Sequence, residues 1–178
     1  MINNTSKHSD DETLTLSSIE NGLVVGARWL ASPNFNERPV ATNIDLLVVH
    51  NISLPPGEFE NGYVEAFFQN RLVAQEHPYF SEIAHLQVSA HLFIARSGIV
   101  TQFVNLNDRA WHAGVSCFDG VESCNDFSIG IELEGLIQEA YPSINAQRIT
   151  GHSDIAPGRK TDPGPCFDWL RYRASLVR

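Results

Sequence analysis

The chain has 178 residues, with 12 Lys and Arg against 21 Asp and Glu, and a formal charge of −9. That length suits one domain burying roughly two thirds of its unfolded surface, and the charge opposes non-specific binding to nucleic acid or to an anionic membrane surface. No apolar run approaches the ~18 residues of a membrane span, and Cys117, Cys124 and Cys166 form neither a disulfide framework nor a CxxC metal knuckle.

Free thiols fit a reducing compartment, so a cytoplasmic location is expected. Residues 1–20 are polar and acidic with no apolar stretch, and they read as a flexible extension rather than a secretory signal. A single domain is then expected over 21–178. Ile44 to Val49 is a β-rich apolar run with His50 at its end, followed by the loop NISLPPG, so His50 stands where a buried strand opens onto a surface. Val64, Phe67, Phe68 and Leu72 recur at helical spacing and predict a short amphipathic helix over 63–72, whereas 75–86 shows no clear pattern.

Residues 89–95 and 99–104 flank Arg96-Ser97-Gly98 and predict a β-hairpin with His91 in its first strand. A histidine at such a place is either a hydrogen-bonded core residue or a site residue. Residues 107–125 are loop-like and contain Trp111, His112 and Gly114; the indole either closes the core or walls a sugar or peptide groove. The run 127–133 alternates, with Ile129, Ile131 and Leu133 on one face and Ser128, Gly130 and Glu132 on the other, so a carboxylate stands beside a glycine that leaves room in front of the sheet. Glu134 falls at the strand end as a solvated or structural carboxylate. Residues 167–177 have the spacing of a C-terminal helix.

Between the last two elements lies GHSDIAPGRKTDPGP (151–165), whose prolines and glycines exclude a long helix and mark a backbone that positions side chains. His152 and Asp162 either make ordinary turn contacts or contribute to a metal site; with His50 they supply the three N/N/O ligands that catalytic zinc requires, the fourth position being left to water. Glu132 could then take a proton from water, and Lys160, facing the same side as Asp162 in an extended segment, could stabilise an oxyanion. The chemistry implied is zinc-assisted hydrolysis of an acyl bond.

The runs VVHNISLPPGEF (48–59), EIAHLQVSAH (82–91), RAWHAGVS (109–116), CNDFSIGIELEG (124–135) and 151–165 resemble the bacterial cytoplasmic members of the type 2 zinc amidase family, the N-acetylmuramoyl-L-alanine amidases. The similarity runs from about Leu23 to the end. It implies an α/β fold with a central mixed β-sheet flanked by helices, Zn²⁺ held by His50, His152 and Asp162, and Glu132 and Lys160 as catalytic groups. It further implies cleavage of the bond between the lactyl group of anhydro-muramic acid and L-alanine in a recycled anhydro-muropeptide. Asn51, His91, Trp111 and Asn125 are the candidates for substrate binding, and a monomer with no nucleic-acid or membrane partner is expected.

There is one departure from the family pattern. A helix of about 20 residues normally follows the strand bearing the catalytic Glu, and here only Gly135 to Ile144 stand in its place. The missing piece is expected to exist physically, with a Gly135 to Leu136 Cα separation well beyond 3.8 Å. Two other classes fit the sequence less well. A peptidoglycan-binding module without catalysis is disfavoured by the intact ligand set and Lys160, and a zinc peptidase by the absence of a His-Glu-x-x-His helix.

Overall fold

The computed structural model describes residues 18–131, 146–164 and 169. In chain order, β1 (Ile19–Glu20), β2 (Leu23–Val24), β3 (Arg28–Trp29), β4 (Phe35–Asn36) and β5 (Leu46–Val49) precede helices α1 (Tyr63–Phe68) and α2 (Pro78–Ile83). The hairpin of β6 (Leu92–Ile94) and β7 (Val100–Gln102) follows, then β8 (Arg109–Ala110), β9 (Cys117–Phe118) and β10 (Val121–Glu122). Last come β11 (Ser128–Ile131), β12 (Ile149–Gly151) and the single-turn helix α3 (His152–Ile155). Six strands form one sheet in the order β12-β5-β11-β6-β7-β3, parallel from β12 through β6, antiparallel at the β6–β7 hairpin and parallel again at β7–β3. The mixed α/β architecture expected from the family resemblance is the one observed.

Parallel strands need cover on both faces, and β5 is continuously apolar for that reason. Leu47 and Val49 join Ile129, Ile131 and Ile149 in one core cluster, while Leu46 and Val48 face Ala113, Cys124, Phe127 and Ile155 in another. All four β5 side chains are buried, each contributing about 1.5–3 kcal/mol of burial. The predicted alternation of 127–133 holds over the described part of that strand, but its second face is not open: Ser128 and Gly130 lie beneath the ring of His112. A third cluster packs Val64, Phe67 and Phe68 of α1 and Phe80 of α2 against Phe103 and Val104.

α1 stops at Phe68, earlier than its spacing predicts, because the chain turns through Asn70 at φ 58. α2 lies in the stretch that showed no pattern; six residues are too few to display a period. Its start is fixed by Pro78 in the first turn and by the His77 side chain accepting from the Tyr79 N–H at 3.1 Å. β1 pairs with β2, so the last two residues assigned to the N-terminal extension belong to a ribbon. Buried Gln102 ties that ribbon to the sheet, accepting from Val24 N–H and donating to the Gly22 and Val104 carbonyls. None of the described helices is long and apolar enough to cross a membrane. The Gly135–Leu136 junction and most of the predicted C-terminal helix fall outside the described residues, although Trp169 packs against the first core cluster.

Candidate metal centre and active site

The site is built by strand register. β12 and β5 run parallel with Gly151 opposite Val49, so the residues that follow each, His152 and His50, leave the sheet side by side at its C-terminal edge. The His50 N–H donates to the Ile131 carbonyl at 2.9 Å, which holds it against β11 as well. Asp162 arrives from the turn-rich segment, pinned by the Ser153 N–H donating to its backbone carbonyl at 2.8 Å. Gly151 permits that approach, since a Cβ there would lie 2.7 Å from Pro163 Cδ.

Three ligand atoms converge. Asp162 Oδ2 lies 3.2 Å from His50 Nδ1 and 3.1 Å from His152 Nδ1, and the two Nδ1 atoms are 3.1 Å apart. Among the described residues these form a group that could hold a metal ion. Burial makes a charged His50 costly and lowers its pKa, against the opposing effect of a hydrogen bond to the Asp162 carboxylate. Burial pushes the Asp162 carboxyl up, but the hydrogen bonds from His152 and His50 outweigh it and hold the group well below the usual carboxylate range. Both effects favour neutral imidazole and ionised carboxylate, the forms that bind metals.

Two clefts of about 440 and 460 Å³ open from this point and share His50 and Asn51. One has a charged rim that includes Arg28, Glu58 and Arg96; the other is lined by Tyr79, Trp111, His112 and Lys160. His50 lines both clefts, whereas His152 and Asp162 line the second. Lys160 and Asp162 line the same cleft, as their alternation predicts. Trp111 is half-buried and fixed by its Nε1–H donating to Asn36 Oδ1 at 2.7 Å, so its ring is part of the cleft wall. Asn51 is exposed where the clefts meet. Glu132 lies outside the described residues; the strand leading to it ends at Ile131, the register partner of Val49.

Two candidates for substrate contact are corrected. His91 is fully buried, with Nδ1 accepting from the Gly130 N–H at 3.0 Å and Nε2 facing the Asp108 carbonyl at 3.1 Å. No atom of that ring reaches a cleft. Burial, reinforced by the nearby Arg38 guanidinium, lowers its pKa to about 3. Asn125 is also buried, and its Oδ1 accepts from the His112 and Ala113 N–H groups, so it shapes the loop that carries Trp111. Neither residue lines a cleft.

Reasoning from sequence missed the role of His112, which was read only as part of a loop. Its Nδ1 lies 3.0 Å from His50 Nε2 and its Nε2 lies 3.2 Å from Ser128 Oγ. Burial, followed by the other imidazoles nearby, drives its pKa well down. The one signal for it in the chain is Gly130, where a Cβ would sit 2.4 Å from the His112 ring.

A mixed sheet bearing this donor set at the junction of two clefts is the frame of an amide hydrolase, and the sequence comparisons place it within that class. The chain belongs to the N-acetylmuramoyl-L-alanine amidase family, whose model matches residues 40–145. Among its relatives, the 1,6-anhydro-N-acetylmuramyl-L-alanine amidase AmpD of Haemophilus influenzae is 51% identical over 180 residues, covering 90% of this chain and 98% of that protein. AmpD of Escherichia coli is also 51% identical, over 179 residues, with 90% and 97% covered. A crystal structure of a selenomethionine AmpD derivative superposes with a TM-score of 0.85 at 48% identity, covering 90% of this chain and all of the other. The Haemophilus alignment runs over 180 positions while taking in 90% of a 178-residue chain, so that relative carries residues with no counterpart here.

Proposed function

We propose that this amidase acts as a monomer in the cytoplasm, where it uses Zn²⁺ bound by His50, His152 and Asp162 to hydrolyse the amide between the lactyl group of 1,6-anhydro-N-acetylmuramic acid and L-alanine in recycled muropeptides. The observation that carries the zinc reading is the spacing of the donors. A tetrahedral ion with bonds of about 2.0–2.1 Å has ligand atoms about 3.3 Å apart, and the three donor separations here are 3.1 to 3.2 Å. Without a cation at their centre, these contacts need an imidazole proton shared with the carboxylate, and a bound zinc ion would take the place of that proton.

A bound zinc ion supplies Lewis acidity toward a carbonyl and brings the pKa of water toward neutrality. The remaining work falls to the chain. Glu132, one residue beyond Ile131, is assigned to take the proton of the attacking water and to pass it to the departing alanine nitrogen. Lys160, on the rim of the same cleft as Asp162, is assigned to face the oxygen on which negative charge develops. Asn51 and Trp111 are assigned to hold the two sides of the substrate, which the paired clefts separate. The 1,6-anhydro preference is supported by the relatives named for it.

The test is a side-by-side assay of 1,6-anhydro and reduced muropeptides, with peptide release followed by chromatography and metal content by emission spectroscopy. One zinc per chain, release from the anhydro substrate, loss on chelation and recovery with Zn²⁺ are expected. Equal rates on both substrates would refute the sugar preference, and undiminished turnover after chelation would refute the zinc reading.

A further inference from the structure

We infer that His112 is a positioning residue that fixes the tautomer of His50 and aims its Nδ1 lone pair at the metal position, through a relay that starts from the Cys124 backbone carbonyl. The inference rests on the reading of His50 as a metal ligand and extends it to the group behind that ligand.

The relay follows from counting protons. Ser128 Oγ is 2.5 Å from the Cys124 carbonyl oxygen, which can only accept, so the single hydroxyl proton of Ser128 is committed there. Toward His112 the hydroxyl oxygen then acts as acceptor, and the 3.2 Å contact requires the proton of His112 on Nε2. That leaves Nδ1 of His112 as the lone-pair end of the ring, 3.0 Å from His50 Nε2. Nε2 of His50 must carry a proton toward His112, so when a metal displaces any proton shared with Asp162, Nδ1 of His50 is the lone-pair end on the side of Asp162 and His152. One backbone carbonyl therefore sets the state of an imidazole three groups away.

The packing makes room for this relay and little else. The His112 backbone is anchored by its N–H donating to Asn125 Oδ1 at 3.1 Å, and its ring stands edge-on to that of His50 with centroids 5.0 Å apart. Beneath it, Gly130 gives up its side-chain volume to the ring. The glycine is explained by that contact, because β11 needs no unusual backbone angle there. Ligand histidines usually donate their second N–H to a carboxylate or carbonyl. Here the acceptor is a second imidazole whose own tautomer is imposed from behind.

The experiment uses the full-length chain, metal-free and zinc-loaded. Zinc affinity is measured by competition with a chromophoric chelator, and the His50 tautomer is read from ¹⁵N chemical shifts of the ring nitrogens. His112→Ala is expected to weaken zinc binding by about 10- to 100-fold. Asn places its amide oxygen where Nδ1 stood and Gln places its own nearer the Nε2 position, so His112→Asn should recover most of the affinity and His112→Gln should not. Gly130→Ala should reproduce the His112→Ala loss and add little to it in the double variant.

Unchanged zinc affinity in His112→Ala, or equal affinities for the Asn and Gln variants, would overturn the inference. Should the Ala variant not fold, the Asn and Gln pair carries the same decision. If the wild-type chain takes up no zinc, the metal reading fails separately, and the His50 ring in the metal-free chain still decides the relay: a proton on Nε2 supports it and an unprotonated Nε2 overturns it.

Discussion

Two imidazoles on either side of Gly130 show how the same residue type is put to different ends. His91 and His112 have ring centroids 5.7 Å apart, and both are driven toward the neutral form by burial. Around His91 the hydrogen bonds run to backbone at both nitrogens, with the Arg38 guanidinium 3.2 Å from Nε2, so the ring closes a gap between β11 and the Asp108 turn. Around His112 they begin on backbone, at Cys124, and end at His50 on the edge of two clefts. Burial and pKa do not separate the pair. What separates them is whether the hydrogen-bond chain has an open end.

The strongest way to break that contrast is to remove a ligand at the open end. Asp162→Ala or His152→Ala should lower kcat/KM by 10³-fold or more, since a zinc ion contributes several kcal/mol of transition-state stabilisation, and zinc content should fall with it. His91→Ala should leave zinc stoichiometry intact, and loss of zinc in that variant would erase the distinction. Glu132→Gln and Lys160→Ala should each lower turnover by about 10²- to 10³-fold with zinc retained. Glu134→Gln should change it by less than about threefold, and the reverse order would reassign the general base.

A smaller effect is expected in stability. His91→Ala strands the Gly130 N–H and the Asp108 carbonyl and leaves a cavity, at a cost of about 2–4 kcal/mol in urea unfolding. The pH dependence sharpens the same point. With its folded pKa at about 3, below the unfolded value near 6.5, His91 binds a proton more readily in the unfolded chain. Its contribution is complete above about pH 6.5 and is lost as pH falls toward 3, at a slope approaching about 1.4 kcal/mol per pH unit. Urea midpoints at pH 7 and pH 5 should therefore converge in His91→Asn relative to wild type, and an unchanged difference would show that this ring is not held neutral.

Local patterns were enough to find β5, the β6–β7 hairpin, the described part of β11 and α1, because each has an apolar repeat or a turn signal of its own. They also put His50 at a strand end, and the density of prolines and glycines around His152 and Asp162 marked a segment that positions side chains. α2 escaped because a six-residue helix shows no period, and His91 and Asn125 were assigned to substrate because a buried polar residue near a motif looks the same in one dimension as an exposed one.

The sequence by itself determined which residues could serve as ligands and which strands must be buried on both faces, since those depend on side-chain chemistry and alternation. Only the tertiary structure decided which of them meet. His50 and His152 are 102 positions apart, and they become neighbours through the Val49–Gly151 register of two parallel strands. His112 becomes the partner of His50 because Gly130 leaves a ring-sized space between them and the sheet. Register and vacant volume belong to the packed chain, and neither leaves a periodic trace in the residues that create it.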